Sequence, residues 1–122
     1  MIKLKNNVAK LNALIKNGDI LEAFEKYYSE DVVIQVNGNP PITGKERKRE
    51  MIFLQEIEKL NGAEIKSVTF GGIDNNISMT EWVIDIENKD GINKTIYRVN
   101  VQHWKDDKII SEKLYFCGDQ KL

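Results

Sequence analysis

The chain has 122 residues, 41% of them apolar and 30% charged, which is the length of one domain (1–122) with a single core and no room for a second. Eighteen Lys and Arg against 19 Asp and Glu give a formal charge of -1, so no global field would hold a polyanion and nucleic acid is not expected as a partner. One cysteine, Cys117, excludes an internal disulfide, and one histidine, His103, leaves too few soft ligands for a structural zinc site. No cofactor is expected and no metal site is assigned.

The first residues, MIKLKNNVAKLNALIKNGD, are broken by Lys and Asn every few positions, and lack the apolar stretch of about 7–15 residues that a secretory signal needs. No segment approaches the ~20 apolar residues of a membrane span. The expectation is a cytoplasmic protein with no membrane partner.

Leu4, Val8, Leu11 and Ile15 recur at helical spacing, and Gly18 ends that helix. Asp19 is placed to cap a second, short helix closing near Ser29, with Glu22 in its first turn and Phe24, Tyr27 and Tyr28 on its buried face. Asp31 to Val36 is a β-branched run of strand length, and Asn37-Gly38-Asn39-Pro40-Pro41 after it reads as turn or extended chain. Thr43-Gly44-Lys45-Glu46 fits a capping box, which predicts a third helix carrying Met51, Leu54, Ile57 and Leu60 and stopped by Asn61-Gly62. The charged run Lys45 to Glu50 interleaves Glu with the basic residues and reads as that helix's solvated face.

Four strands follow, Ile65 to Phe70, Ile77 to Ile86, Thr95 to Trp104 and Ile109 to Phe116. The breaks between them, Gly71-Gly72, Asn88 to Gly91 and Lys105 to Lys108, are too short for crossovers and imply antiparallel hairpins. The order predicts an α+β fold, a curved antiparallel sheet with three N-terminal helices packed on its concave face.

The last hairpin decides which side chains share a face. A three-residue turn, Lys105 to Asp107, pairs Trp104 with Lys108 and Asn100 with Glu112, and puts Arg98, Asn100, Gln102, Trp104 and Glu112 inside with Ile96, Ile110, Leu114 and Phe116. A two-residue turn, Asp106-Asp107, slips the register by one and pairs Val101 with Glu112 and Tyr97 with Phe116, so that Glu112 leaves Asn100. The poor fit of Asp-Asp to a two-residue turn favours the first register.

This order resembles the nuclear transport factor 2-like superfamily, the cone-shaped fold of ketosteroid isomerases and SnoaL-like polyketide cyclases. The resemblance rests on Gly18-Asp19-Ile20, Tyr27, the Asp31 to Gln35 strand, Gly38, Pro40-Pro41-Ile42, Gly44 and Glu46, and on the turn Trp104 to Ile109, here without the family's Gly. It covers nearly the whole chain. Carried over residue by residue, the isomerase's carboxylate base falls on Gln35, its oxyanion-hole Tyr on Leu11 and its neutral acid on Asn100, whose amide alone of the three retains a comparable hydrogen-bonding role. The resemblance therefore implies no ketosteroid isomerisation by that mechanism. A SnoaL-like cyclase uses a carboxylate and a His near the last strand; His103 lies one strand early, and the segment after Ile109 offers only Glu112 and Asp119 as carboxylates, of which Glu112 is kept as the candidate.

The expected site has Glu112 as an acid or base and Asn100 as its assistant, with Gln35, Tyr27, Tyr28, Arg98, Gln102, Trp104 and Phe116 contacting a small, mostly apolar organic ligand. Each residue also has a structural reading: Glu112 in an ion pair with Arg98 or Lys113, Gln35 and Asn100 satisfying one another, Tyr27 and Tyr28 as core. Tyr97, Val99, Val101 and His103 would face outward as an apolar patch, which, with the superfamily's habit of pairing through the outer sheet face, implies a homodimer. The alternative to a ligand-binding or acid-base function is a noncatalytic, homodimeric sensing or interaction module.

Overall fold

The computed structural model describes residues 2–46, 59–87 and 90–118. In chain order its elements are helix α1 (Ile2–Lys16), helix α2 (Ile20–Tyr27), and strands β1 (Tyr28–Val36), β2 (Ile42–Thr43), β3 (Lys59–Gly71), β4 (Ile77–Glu87), β5 (Asn93–Lys105) and β6 (Lys108–Gly118). The six strands form one open sheet in the order β2-β1-β6-β5-β4-β3. It is an α+β fold, with two helices among the described residues where three were expected. Most of the segment expected to form a third helix, including Met51, Leu54 and Ile57, lies outside the described residues. Leu60 and Asn61-Gly62, expected to close that helix, belong to β3. Leu60 pairs with Ile86 across the sheet, so cross-strand pairing overrides a helical spacing that the residue satisfied only by coincidence.

Helix α1 buries Val8, Leu11 and Ile15 on the stripe that its spacing predicts, with Leu4 packed partly against the same core. Its end shows why Gly stands at position 18. The Asp19 N–H donates to the carbonyl of Leu14 and the Gly18 N–H to that of Ile15, and Gly18 takes a φ of 89°, a left-handed closing turn that costs other residues a Cβ clash. Asp19 accepts the α2 backbone bond from Ala23 but makes no side-chain cap. Its carboxylate instead accepts from Asn17 Nδ2 at 2.8 Å.

The sheet is not wholly antiparallel, as had been expected. β1 runs parallel to β6, while the pairs β1–β2, β3–β4, β4–β5 and β5–β6 are antiparallel. The long connection from β1 through β3, β4 and β5 makes this possible, since parallel neighbours cannot be joined by a hairpin. It also makes β6 a central strand with partners on both sides. The loop after β1 is tied to it: Asn37 at φ 48° and Gly38 at φ 79° form the turn, and Asn37 exchanges bonds with the backbone of Phe116 while its own N–H donates to Leu114.

The β5–β6 hairpin realises neither anticipated register. Lys105 pairs with Lys108 across the two-residue turn Asp106-Asp107, and both turn residues have positive φ, 51° and 67°. This is the twist that short hairpins need, and Asp tolerates it better than most non-glycine residues. One step on, Trp104 pairs with Ile109 but His103 with Ser111, so Ile110 is an extra residue in a β-bulge. The bulge undoes the one-residue slip. Beyond it Gln102 pairs with Glu112, Asn100 with Leu114 and Arg98 with Phe116, and Glu112 returns to the face of Asn100. Ile109, buried, takes the interior place expected of Ile110.

The core gathers Val8, Leu11, Ile15, Phe24 and Tyr27 from the helices with Val32, Ile34, Trp82, Ile84, Trp104, Ile109 and Leu114 from one face of the sheet. Lys45, expected on a solvated face, is buried: Nζ donates to the carbonyl of Glu25 at 2.9 Å and lies over the Phe24 ring. Its stem packs while its head finds acceptors. No helix among the described residues is long and apolar enough to cross a membrane.

Candidate functional site

Alternation along β4, β5 and β6 turns Ser78, Thr80 and Trp82, then Arg98, Asn100, Gln102 and Trp104, then Glu112 and Leu114 to one face. At its centre Glu112 is 2% exposed. Three neutral donors meet on its Oε2: the Tyr28 hydroxyl at 2.6 Å, Gln102 Nε2 at 2.7 Å and Asn100 Nδ2 at 3.1 Å. No described residue donates to Oε1. Hydrogen bonds of this kind are what a buried carboxylate requires in order to stay charged.

Tyr28 reaches Glu112 because of an irregularity in the parallel pairing. It opposes Ile109, whereas Val33 already opposes Ser111, so β1 spends extra residues between these points and swings its first side chain under β6. Burial, then the charge of Glu112, push the Tyr28 hydroxyl well above its ordinary value. It is a proton donor throughout the physiological range.

The row extends upward through Gln102. Its Oε1 accepts from Ser78 Oγ at 3.1 Å, and Ser78 Oγ accepts from Trp104 Nε1 at 2.9 Å. Beside it, Asn12 Nδ2 of α1 donates to Thr80 Oγ1 at 3.2 Å. These interlocked bonds orient the Gln102 amide with its NH₂ toward Glu112. Ser78, Thr80 and Asn12 escaped the reading of the sequence, although parity along Ser78-x-Thr80-x-Trp82 puts two hydroxyls on the apolar face of β4 and was a readable signal.

Half-buried Arg98 stands at the other end of the row, its guanidinium 5.9 Å from the Trp82 ring centre. Burial pushes it below its ordinary value, and the charge of Glu112 opposes that shift. The ion pair of Glu112 with Arg98 or Lys113, the structural alternative raised above, is not among the contacts: the carboxylate is held by amides and a phenol, and Lys113 is exposed.

The structure thus brings together Tyr28, Arg98, Asn100, Gln102, Trp104 and Glu112, and leaves out three residues assigned to the same site. Gln35 follows buried Ile34, faces the opposite side of β1 and donates to the Asn39 carbonyl at 3.0 Å; the strand's period of two removes it. Tyr27 is buried against Trp104, ring centres 6.1 Å apart, and makes no bond to the cluster. Phe116 shares the Arg98 face but is 40% exposed at the end of its strand. Nor does Asn100 oppose Glu112 directly; it reaches the carboxylate diagonally from its place opposite Leu114.

Two cavities are lined by described residues. One of about 140 Å³ lies at the rim between Leu4, Asn7, Asn76 and the Asp106-Asp107 turn, and one of about 490 Å³ lies along α1 and α2 between Lys10, Leu14, Asp19 and Tyr27. Neither touches Glu112, Asn100 or Arg98. Among the described residues no three His, Cys, Asp or Glu side chains gather as metal ligands.

The fold has counterparts among solved structures. A candidate SnoaL-like polyketide cyclase from Mesorhizobium loti superposes with a TM-score of 0.76 at 22% identity, covering 91% of this chain and 97% of that one. An NTF-2-like protein of unknown function from Burkholderia xenovorans gives 0.74 at 19%, covering 98% and 87%. An LEH-like epoxide hydrolase from M. tuberculosis gives 0.74 at 17%, covering 96% and 84%. No family model matches the chain, and no curated protein matches it. These neighbours show the fold alone, the one that the SnoaL-like and NTF-2-like structures share.

Proposed function

We propose that the protein binds a small, mostly apolar organic molecule on the inner face of its sheet and that Glu112 is the acid-base group of the site. The observation that carries this reading is the placing of all three donors on one oxygen of the carboxylate. Oε2 is anchored, so the group is held in one orientation, and Oε1 is left to accept a proton from a bound hydroxyl or an acidic C–H. A base must be oriented and within hydrogen-bond reach before its pKa matters. The cyclase and epoxide hydrolase descriptions among the structural neighbours are compatible with such chemistry.

Trp82 and Trp104, the two tryptophans of the chain, both border the cluster, so their indole N–H resonances report on it. Titration with small neutral aromatic fragments should shift one or both saturably, and Glu112→Gln should fold and weaken that binding about tenfold or more, the scale of a lost charged hydrogen bond. Intact binding in a Glu112→Gln variant whose melting point drops would make Glu112 a structural group.

A second reading has its own support. Oε2 is saturated by internal donors, and the cavities beside α1 and α2 lie away from it. In that reading the cluster is a polar core and the outer sheet face is the working surface of a homodimeric interaction module. That face carries Tyr97 at 55% and Tyr115 at 47% exposure, with half-buried Val99, Val101 and His103 beside them.

A further inference from the structure

Two polar atoms of the cluster are buried with no hydrogen-bond partner among the described residues, Nε of Arg98 and Oδ1 of Asn100. Native structures pair nearly all such groups, so each orphan calls for a reason. The orientation of Asn100 is not arbitrary. The end of an amide that faces a carboxylate must be its NH₂, and Nδ2 lies 3.1 Å from Glu112 Oε2; the carbonyl is therefore the end left over. Asn100 is itself 3% exposed, and nothing of its own strand can satisfy it.

The orphans are complementary. Arg98 Nε can only donate and Asn100 Oδ1 can only accept. They stand two residues apart on β5, hence on one face and within the span of one small molecule. The neighbours of that face are mixed: Trp82 opposes Arg98 on β4 and Leu114 opposes Asn100 on β6, while Thr80, opposite Asn100 on β4, has its hydroxyl taken by Asn12. Charge selects further. The row already holds one cation, Arg98, and one anion, Glu112, each within the other's field. A neutral ligand keeps that balance; an anion bound by Arg98 would set a second negative charge beside Glu112 at low dielectric.

We infer that the site recognises an uncharged hydroxy-carbonyl compound, whose carbonyl oxygen accepts from Arg98 Nε and whose hydroxyl donates to Asn100 Oδ1. This deepens the small-molecule reading above and rests on it. Each polar group of the ligand then meets a group that is otherwise unpaired, and a site of that kind discriminates strongly against analogues lacking either one.

The test uses four probes on the unaltered chain, followed through the Trp82 and Trp104 indole signals: 3- or 4-hydroxyacetophenone, acetophenone, phenol and 4-hydroxybenzoate. The better hydroxyacetophenone isomer should bind about tenfold or more tightly than each of the other three. Arg98→Met, which keeps an unbranched stem beside Trp82, should erase its advantage over phenol while leaving phenol's own affinity in place. The series on the unaltered chain decides the matter even if that variant does not fold. Saturable binding of all four with equal affinity overturns the inference and leaves the small-molecule reading standing, with a bridging water as the partner of the orphans. Preference for the benzoate overturns it in favour of an anionic ligand. If no probe gives a saturable shift, the inference and the small-molecule reading fall together.

Discussion

Tyr28 carries more of the site than its place at the start of a strand suggests. Its phenol makes the shortest of the three bonds to Glu112, and it is held protonated by burial and by that same charge. Tyr28→Phe keeps the ring stacked against Phe24, 4.9 Å between centres, but leaves the carboxylate one donor short. We expect a loss of about 1.5–3 kcal/mol at neutral pH, the cost of a charge-assisted hydrogen bond, measured by chemical denaturation. The pH dependence follows from the direction of the shift. Folded Tyr28 holds its proton above the ordinary value of 10.0, so between 10.0 and the raised value the folded state binds more protons than the unfolded one. Its contribution is complete below pH 10 and is lost as pH rises through the folded value. The variant should therefore lose less stability than the unaltered chain on the alkaline side; equal slopes above pH 10 would contradict the assignment.

Glu112, Asn100, Gln102, Arg98 and Trp104 were legible as one group because a strand's period is two and their parities agree across a hairpin. Gln35 was misplaced because a resemblance at the level of the chain does not specify which way a side chain turns, and Tyr27, the last residue of α2, because helical spacing does not say whether a core tyrosine also reaches the cluster. Tyr28 was found only as a neighbour of Tyr27. Which of two adjacent tyrosines reaches Glu112 depends on the point at which α2 gives way to β1, and helix boundaries are poorly specified by local sequence.

At the scale of elements, the β5–β6 hairpin shows how two local events combine. Asp106-Asp107 closes a tight turn that by itself would send Glu112 to the outer face, and the bulge at Ile110 brings it back. Neither turn chemistry nor periodicity foretells a bulge in a run of Ile-Ile, because both residues are equally at home in a ladder. Asp107 also anchors the turn to α1, accepting from Lys3 Nζ at 2.9 Å and Asn7 Nδ2 at 3.0 Å, and these contacts hold its carboxyl below the usual range. Both partners are on the surface, so the pinning is a matter of geometry more than energy. The β3–β4 turn is more demanding. Gly72 sits at φ 90°, and a Cβ there would run into Ile77 Cγ1. Gly72→Ala should therefore cost about 1–3 kcal/mol, from the left-handed backbone and the displaced Ile77 together, read as a shift in denaturation midpoint. A neutral substitution would show that the turn rearranges freely.

For the whole molecule, the outer face of the sheet is the feature that the monomer leaves unexplained. Tyr97, Val99 and Val101 on β5 are joined across the pairing by Tyr115 on β6 and by Met79 and Val83 on β4. Exposed tyrosines and half-buried valines on one face, here interleaved with Glu81 and Lys113, are the kind of surface that a partner would cover. If it is a homodimer interface, Val101→Lys at its middle should give monomers in sedimentation, because a buried unpaired charge costs several kcal/mol, with the melting profile of the separated chain otherwise preserved. A chain that sediments as a monomer before substitution, or as a dimer after it, would move the interface elsewhere.

The amino-acid sequence by itself determined the α1 stripe, the Gly18 stop, the strand-rich C-terminal half, the α+β class and the superfamily resemblance, all of which follow from periods and turn residues acting over a few positions. It also determined that Glu112 and Asn100 share a face whenever the hairpin's parity is even. Only the tertiary structure decided that β1 runs parallel beside β6, that Leu60 is strand, that Tyr28 and not Gln35 completes the carboxylate's shell, and that Ser78, Thr80 and Asn12 extend it. The physical reason is distance along the chain. The pairing of β1 with β6, the reach of Tyr28 to Glu112 and the bond from Asn12 to Thr80 join residues 68 to 84 positions apart, and such contacts are settled by packing the whole sheet around one core, which no local pattern records.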